Sequence, residues 1–288
     1  MKAFRKYMWI LIPLILVYPA ISIYNGRTLS QEVIDSKTIH FTFNSKHVKD
    51  SFDIYISLPD KYEQTDSDFH TIYYMDANLK SGKATRTAIL GFRQNHEAIN
   101  SIFVGIGHFR NYRELRRRDM ITPSVPSASG DSLVADSKYY GHAEEFYRFI
   151  QSELIPFIES KYRCKKERSW IGHSLGGLFA FYCLFKKESI FKNYVALSPA
   201  LWIDESNIYH FEKNYSRYSD SLDHTVYLCV GGNETMNKIL NCSRRMRDTL
   251  ELRQYKGLNF VYKEFEGESH NSEVPVALGM ILPKLPNQ

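Results

Sequence analysis

The chain has 288 residues, 43% of them hydrophobic and 24% charged, with a formal net charge of +5. That is an ordinary globular composition, long enough for one large α/β domain with a sizeable core. No long Lys/Arg tract or known module accompanies the mild positive charge, which argues against a nucleic-acid partner; the four cysteines and ten histidines show no zinc-site spacing and no HExxH.

The N-terminus stands apart. "MKAFRKYMWILIPLILVYPAIS" places Lys2, Arg5 and Lys6 before an apolar run from about Tyr7 to Ile23. A basic flank before a short apolar core is the pattern of an export signal, and the run is close to the lower length limit for a tilted membrane span. Residues 1–23 are therefore expected to be either a signal peptide or an uncleaved membrane anchor. Either way the basic flank stays cytoplasmic and the domain over 24–288 lies outside, periplasmic or extracellular.

Eight strand-like runs follow: "HFTF" near 40, 52–58, 70–76, 101–107, 168–172, 193–198, 225–231 and 259–267. The first two alternate polar and apolar residues, as an antiparallel edge does, and the central ones are continuously apolar, as buried parallel strands are. A helix is expected over 142–161, where Ala143, Phe146, Tyr147, Ile150, Leu154, Ile155 and Ile158 form one apolar stripe. Strands alternating with helices mean a wound, mostly parallel sheet with helices on both faces. The segment 109–141 fits no period and reads as a long substrate-side loop or lid. Cys183 and Cys229 fall in apolar elements and read as free buried thiols; a Cys164–Cys242 pairing has no support in the sequence.

"RSWIGHSLGGLFAFYCLF" ends a buried strand at Trp170-Ile171 and resumes at helical spacing with Leu178, Phe179, Tyr182, Cys183 and Phe185. G-x-S-x-G at a strand-to-helix corner is the nucleophile elbow of α/β-hydrolases. A tight turn requires glycine at 172 and 176 and pushes the Ser174 hydroxyl out over the sheet edge. The Leu175 N–H, at the start of the following helix, is then free to stabilise an oxyanion. Gly177 extends the close approach of helix to sheet.

Serine needs a base, and the chain order of this fold is Ser, Asp/Glu, His. His210, His224 and His270 follow Ser174. His270, in the polar loop "FEGESHNSEVP" after the last strand, is where the fold delivers its base; the other two read as surface histidines. Glu234, in the turn ending "TVYLCVGGNETMN", is the favoured acid. Asp248, Asp204 and a Ser-His dyad without an acid are the alternatives. In "IYYMDANLKSGK", after the third strand, the Asn78 N–H is the candidate second oxyanion donor.

With these residues in place, the chain resembles the putative-esterase family of α/β-hydrolases, which includes S-formylglutathione hydrolases, feruloyl and acetyl-xylan esterases, mycolyltransferases and siderophore esterases. It is most similar to the ferric-siderophore (enterobactin and salmochelin type) esterase-like branch. The patterns that carry the resemblance are "IYYMDAN", "RRRDMITP", "YYGHAEEFYRFIQSELIPFIESKY", "WIGHSLGGLFAFYCLF" running on to "FKNYVALSPALWID", and "GESHNSEVP". The resemblance implies Ser174 as nucleophile, His270 as base and the Leu175 and Asn78 amides as oxyanion hole. Ala77 departs from it, standing where the family usually has glycine. The resemblance also suits an N-terminal segment that holds an exported esterase at the membrane.

Arg113, Arg116, Arg117 and Arg118 form either a solvated surface run or a cleft-facing cluster for an anionic substrate, with Arg117 the representative candidate. Arg110 and Asp119 are candidates for ordering the loop. Trp202, in "SPALW", is either an aromatic wall of the acyl pocket or core. The expected protein is a serine esterase acting through an acyl-enzyme on a small-molecule ester, a siderophore-type lactone among the candidates, with no metal or organic cofactor required. The alternatives are a carbohydrate-ester or short-chain carboxylesterase, or a membrane-tethered binding protein on an inactive hydrolase scaffold.

Overall fold

The computed structural model of the chain describes residues 38–78, 100–123, 140–203 and 207–285, residues 85, 87 and 88, and the backbone of two short strands near the N-terminus. The chain divides into two units, residues 1–36 and 37–288. In the first, Ile23–Tyr24 pairs antiparallel with Arg27–Thr28. The signal or anchor expected over 1–23 otherwise lies outside the described residues. No described helix is long and apolar enough to cross a membrane.

The second unit is built on one eight-stranded sheet. Its strands are β1 (Thr38–Ser45), β2 (Asp50–Ser57), β3 (Phe69–Met75), β4 (Ser101–His108), β5 (Cys164–His173), β6 (Asn193–Leu197), β7 (Thr225–Gly231) and β8 (Asn259–Phe265). The spatial order is β1-β2-β4-β3-β5-β6-β7-β8. β1 pairs antiparallel with β2, and β2 with β4. Every other neighbouring pair is parallel. All eight expected strands are present. β1, at one edge, keeps part of its side chains in water as its alternation implies, but β2, expected to share that texture, is buried from Phe52 to Ser57, inside the sheet between β1 and β4; every residue of β3, β4, β6 and β7 is buried and these strands read as apolar runs.

The helices are α1 (Tyr112–Met120), α2 (Ala143–Phe149), α3 (Ile155–Lys161), α4 (Leu175–Leu184), α5 (Ile208–Tyr218), α6 (Asn237–Arg253) and α7 (Glu273–Ile281). α2 runs through a π-helical turn, Ile150–Leu154, straight into α3. The wide turn lies just before Pro156, whose missing N–H removes a rung of the ladder. The stripe expected over 142–161 is otherwise intact, with all seven of its residues buried. One core packs α2, α3, α4 and α5 against one face of the sheet. α7 covers the other face through Val274, Ala277, Leu278 and Ile281.

The expectation of a long substrate-side loop or lid across 109–141 is corrected over its first part, which forms α1; residues 124–139 lie outside the described residues. "YRELRRRDM" hides its helix because only Leu115 and Met120 are apolar on the buried side. The third buried residue is Asp119, whose carboxylate accepts from Arg118 Nε at 2.6 Å and Nη2 at 3.0 Å, and lies 2.9 Å from His108 Nε2. A charged side chain thus takes a core position that periodicity would give to an apolar one. All four cysteine thiols are free, Cys164 and Cys242 included.

Candidate active site

Parallel strands deliver their C-terminal ends to one edge of the sheet, and the site lies there. Ser174 follows β5 with φ 57° and ψ −111°, a conformation that costs an L-residue about 1–3 kcal/mol and persists only where its surroundings over-determine it. They do so here. The Ser174 N–H donates to the Leu197 carbonyl at 2.9 Å, and its own carbonyl accepts from the N–H groups of Gly177, Leu178 and Ala200 at 3.1, 3.0 and 2.9 Å.

A methyl group on Gly172 would fall inside the van der Waals envelope of the Gly176 carbonyl, and one on Gly177 would lie 2.8 Å from Pro199 Cβ. The expectation that the turn also requires glycine at 176 does not hold. A Cβ there would meet Met75 Cβ at 3.4 Å, an ordinary contact, because position 176 points away from the inside of the corner.

Glu234, just past β7, and His270, just past β8, meet at this edge. Nδ1 of His270 lies 3.1 Å from both carboxylate oxygens of Glu234. The contact favours the tautomer with its proton on Nδ1, which leaves the Nε2 lone pair outward as an acceptor. The Glu234 side chain is 1% exposed and that of His270 25%, so the carboxylate is sealed while the ring stays partly open to solvent. Asp248, the alternative acid, lies on α6 with its side chain 63% exposed and paired to Arg247. Asp204 falls outside the described residues. His224 precedes β7, at the opposite end of the strand, and His210 is exposed on α5.

The His270 ring packs against that of His173, the residue before Ser174, with centroids 4.4 Å apart. Among the described residues no hydrogen bond joins the Ser174 hydroxyl to His270. In ligand-free enzymes that contact commonly tightens only when substrate binds.

Two amides stand ready at the same edge. The Leu175 N–H opens α4, where helix geometry leaves the first donors without a partner. The Asn78 N–H has no partner among the described residues, and its side chain anchors the loop by donating Nδ2–H to the His108 carbonyl at 2.6 Å. The Asn78 side-chain amide lies over Gly107, where a Cβ would approach Asn78 Cγ to 2.7 Å. Ala77 is fully buried and is accommodated because Gly105 opposite it has no side chain; a Cβ there would come within 2.8 Å of the Ala77 methyl.

Residues 45–278 match the family described as "Putative esterase". The chain belongs to this family. It is 28% identical over 278 residues to ferri-bacillibactin esterase BesA of Bacillus subtilis, covering 90% of this chain and 92% of that one. It is 30% identical over 149 residues to the siderophore triacetylfusarinine C esterase of Aspergillus fumigatus, covering 50% of this chain and 48% of that one. Among solved structures, the BES protein of Bacillus cereus superposes with a TM-score of 0.74 at 28% identity, covering 90% of this chain and 99% of that chain. These relatives place the chain on the siderophore-esterase branch of the family.

In this esterase-family chain the arginine cluster divides. Arg116 makes a two-point contact with Asp76, Nε–Oδ1 2.5 Å and Nη2–Oδ2 2.7 Å. Asp76 is itself in left-handed backbone (φ 60°), two residues before Asn78. Arg118 bridges Asp119 and Asp50, the latter at 2.8 Å, and Arg110 reaches Asp50 at 4.0 Å. Arg116 and Arg118 thus order the scaffold beneath the site. Arg113 lies beside the Tyr112 ring, its Nε 3.4 Å from the phenol oxygen. Arg117 is exposed and unpaired among the described residues. Trp202 is half-buried after β6, with Lys238 Nζ 5.4 Å from its ring centroid and its indole N–H without a partner among the described residues.

Two groups at this edge escaped the sequence reading, His173 and Glu273. Glu273, three residues after His270 at the start of α7, is fully buried. Burial pushes its carboxyl up to about 8; the Ser198 hydroxyl opposes the rise and the nearby Glu234 and Glu268 carboxylates add to it. No motif flags either residue. A glutamate opening a helix reads as a dipole-stabilised surface acid, and a residue flanking the nucleophile reads as part of the strand. Among the described residues no group of His, Cys, Asp and Glu is arranged to hold a metal ion.

Proposed function

We propose that the protein is a serine esterase working through an acyl-enzyme, with a siderophore ester as its substrate. Ser174 attacks the ester carbonyl and His270 Nε2 takes its proton. Glu234 holds the ring and stabilises the imidazolium that forms. The Leu175 and Asn78 N–H groups receive the developing oxyanion. Collapse of the tetrahedral adduct breaks the bond to the alcohol, which leaves with the proton from His270. Water, activated by the same imidazole, then releases the acid and regenerates Ser174. The observation that carries this reading is the two-oxygen contact of Glu234 with a ring packed beside the strained elbow, in a chain of an esterase family.

The substrate class rests on the relatives' own activities, as their names state them. Exposed Arg117 would attract an anionic siderophore, and the Trp202 ring would wall its acyl side. Residues 1–23, with three basic residues ahead of an apolar run, would export the domain to the periplasm or the extracellular space and could hold it at the membrane. A hydrolysis screen of siderophore trilactones, acylated sugars and p-nitrophenyl esters, each beside Ser174→Ala, tests the function. Siderophore esters should be preferred and the variant inactive. Turnover of aryl esters alone would remove the substrate assignment, and full activity in Ser174→Ala would remove the mechanism. Fractionation of cells expressing the full chain, with sequencing of the mature N-terminus, tests the location.

A further inference from the structure

His173 lies at the end of β5, where the main chain pairs with Leu197 of β6, and is only 6% exposed. Its Nε2 is 2.6 Å from the main-chain carbonyl oxygen of His270. A carbonyl can only accept, so the proton is on Nε2 and Nδ1 is a bare acceptor, buried without a partner among the described residues. The two rings meet at 4.4 Å and 50°. His270 therefore has two anchors of different kind, Glu234 on its ring and His173 on its backbone. The loop that carries it is otherwise tied mainly to itself and to the turn after β7, by Ser269 N–H to Ser272 Oγ (2.8 Å), Glu273 N–H to the Ser269 carbonyl (3.2 Å) and Asn233 N–H to the Glu268 carbonyl (2.8 Å).

We infer that His173 is a positioning residue for the reaction: its Nε2–H clamps the main chain of His270, so that the one strand end carrying the nucleophile also sets the place of the base. The inference rests on the Ser174–His270 reading above. Ser174 and His173 are consecutive residues of a rigid corner, so the clamp refers the imidazole to the serine directly and not through two independent loops. Neutrality suits this work. Burial, helped by the neighbouring His270 and Arg116, pulls the His173 ring down to about 3. It therefore keeps one N–H to donate and places no second positive charge beside the imidazolium formed during turnover. The unpartnered Nδ1 is the cost of that arrangement, since the ring donates outward to the base's loop and none of the described residues reaches its inner nitrogen.

The test compares His173→Phe, His173→Gln and His173→Asn with the native chain and with Ser174→Ala. The readouts are kcat and KM on a p-nitrophenyl ester, the rate of fluorophosphonate labelling, and the melting temperature. Phe keeps the ring volume and loses the donor. A Gln amide nitrogen overlays Nε2 and restores it, whereas that of Asn overlays Nδ1 and does not. A displaced base costs rate more than binding, so His173→Phe should lower kcat about 10- to 100-fold with KM nearly unchanged, and labelling should slow in parallel. His173→Gln should recover most of the loss, and His173→Asn should not. Native kcat in His173→Phe overturns the inference. So does an equal loss in the Gln, Asn and Phe variants, or a loss that follows the melting temperature alone. If the Phe variant does not fold, the Gln and Asn pair decides by the same criterion. Turnover that survives Ser174→Ala would instead overturn the underlying assignment, so the two failures are distinguishable.

Discussion

Replacing Glu273 by glutamine should change how the protein's stability depends on pH. The carboxyl is fully buried beside Glu234, Glu268, the Ser198 hydroxyl and the Cys229 thiol, and its value rises from the usual 4.5 to about 8. In the unfolded chain it loses its proton near the usual value, while in the native state it keeps it to about 8. Between those limits the native state binds one proton more than the unfolded state, so its contribution to stability falls as pH rises. The full contribution is present below about pH 4.5, and the decline ends at about pH 8. At 1.36 kcal/mol per unit, the loss across that window is about 5 kcal/mol at most. Glutamine cannot ionise. Its amide adds a cost for burying an unpaired donor, about 1–3 kcal/mol, that is the same at every pH. The assay is urea unfolding of both chains at several pH values from 4.5 to 9. The difference, variant minus native, should climb by several kcal/mol toward pH 8 and then level off, with other titrating groups cancelling. A difference independent of pH would refute the reasoning and show that Glu273 finds water or a partner in the native state.

Three further outcomes follow from the same geometry. Gly172→Ala should destabilise the fold by about 3 kcal/mol or more and abolish esterase activity, since its methyl group meets the backbone of the elbow and no rotamer relieves it; thermal melting and a p-nitrophenyl assay check both. Glu234→Gln should lower kcat about 10²–10⁴-fold by losing the tautomer-fixing carboxylate, while Asp248→Asn leaves kcat within about twofold of native because Asp248 is itself exposed and its pairing with Arg247 is worth little. Arg116→Ala should cost about 3–5 kcal/mol in urea unfolding by stranding the buried Asp76 carboxylate, whereas Arg117→Ala should leave stability unchanged and slow only anionic esters, more so at low salt.

Much of this was legible in the chain, because the features concerned are local. Apolar runs such as "TVYLCVG" are continuous since both faces of β7 are covered, and the elbow announces itself where that texture breaks into glycine. That Glu234 and not Asp248 meets His270 could be read from its place at the end of a strand, which is a matter of order along the chain and not of distance. The features that were not legible depend on contacts between distant residues. Arg116 and Asp76 are forty positions apart, and nothing in "RRRD" says which guanidinium turns inward. α1 could not be seen because its buried side includes Asp119, paired with Arg118 and in contact with the His108 ring. β5 begins at Cys164 and not near Arg168: Cys164 pairs with Phe69 and packs on the core, while Lys165, Lys166 and Glu167 lie at a register shift with their side chains in water, which hides the strand in the sequence.

Fluorophosphonate labelling of the native chain, Ser174→Ala and His270→Gln, read by intact mass and peptide mapping, tests the central claim most directly. A single adduct is expected on the Ser174 peptide, absent from Ser174→Ala and formed at least about 100-fold more slowly in His270→Gln. An adduct on another residue, or labelling of His270→Gln at the native rate, would contradict it.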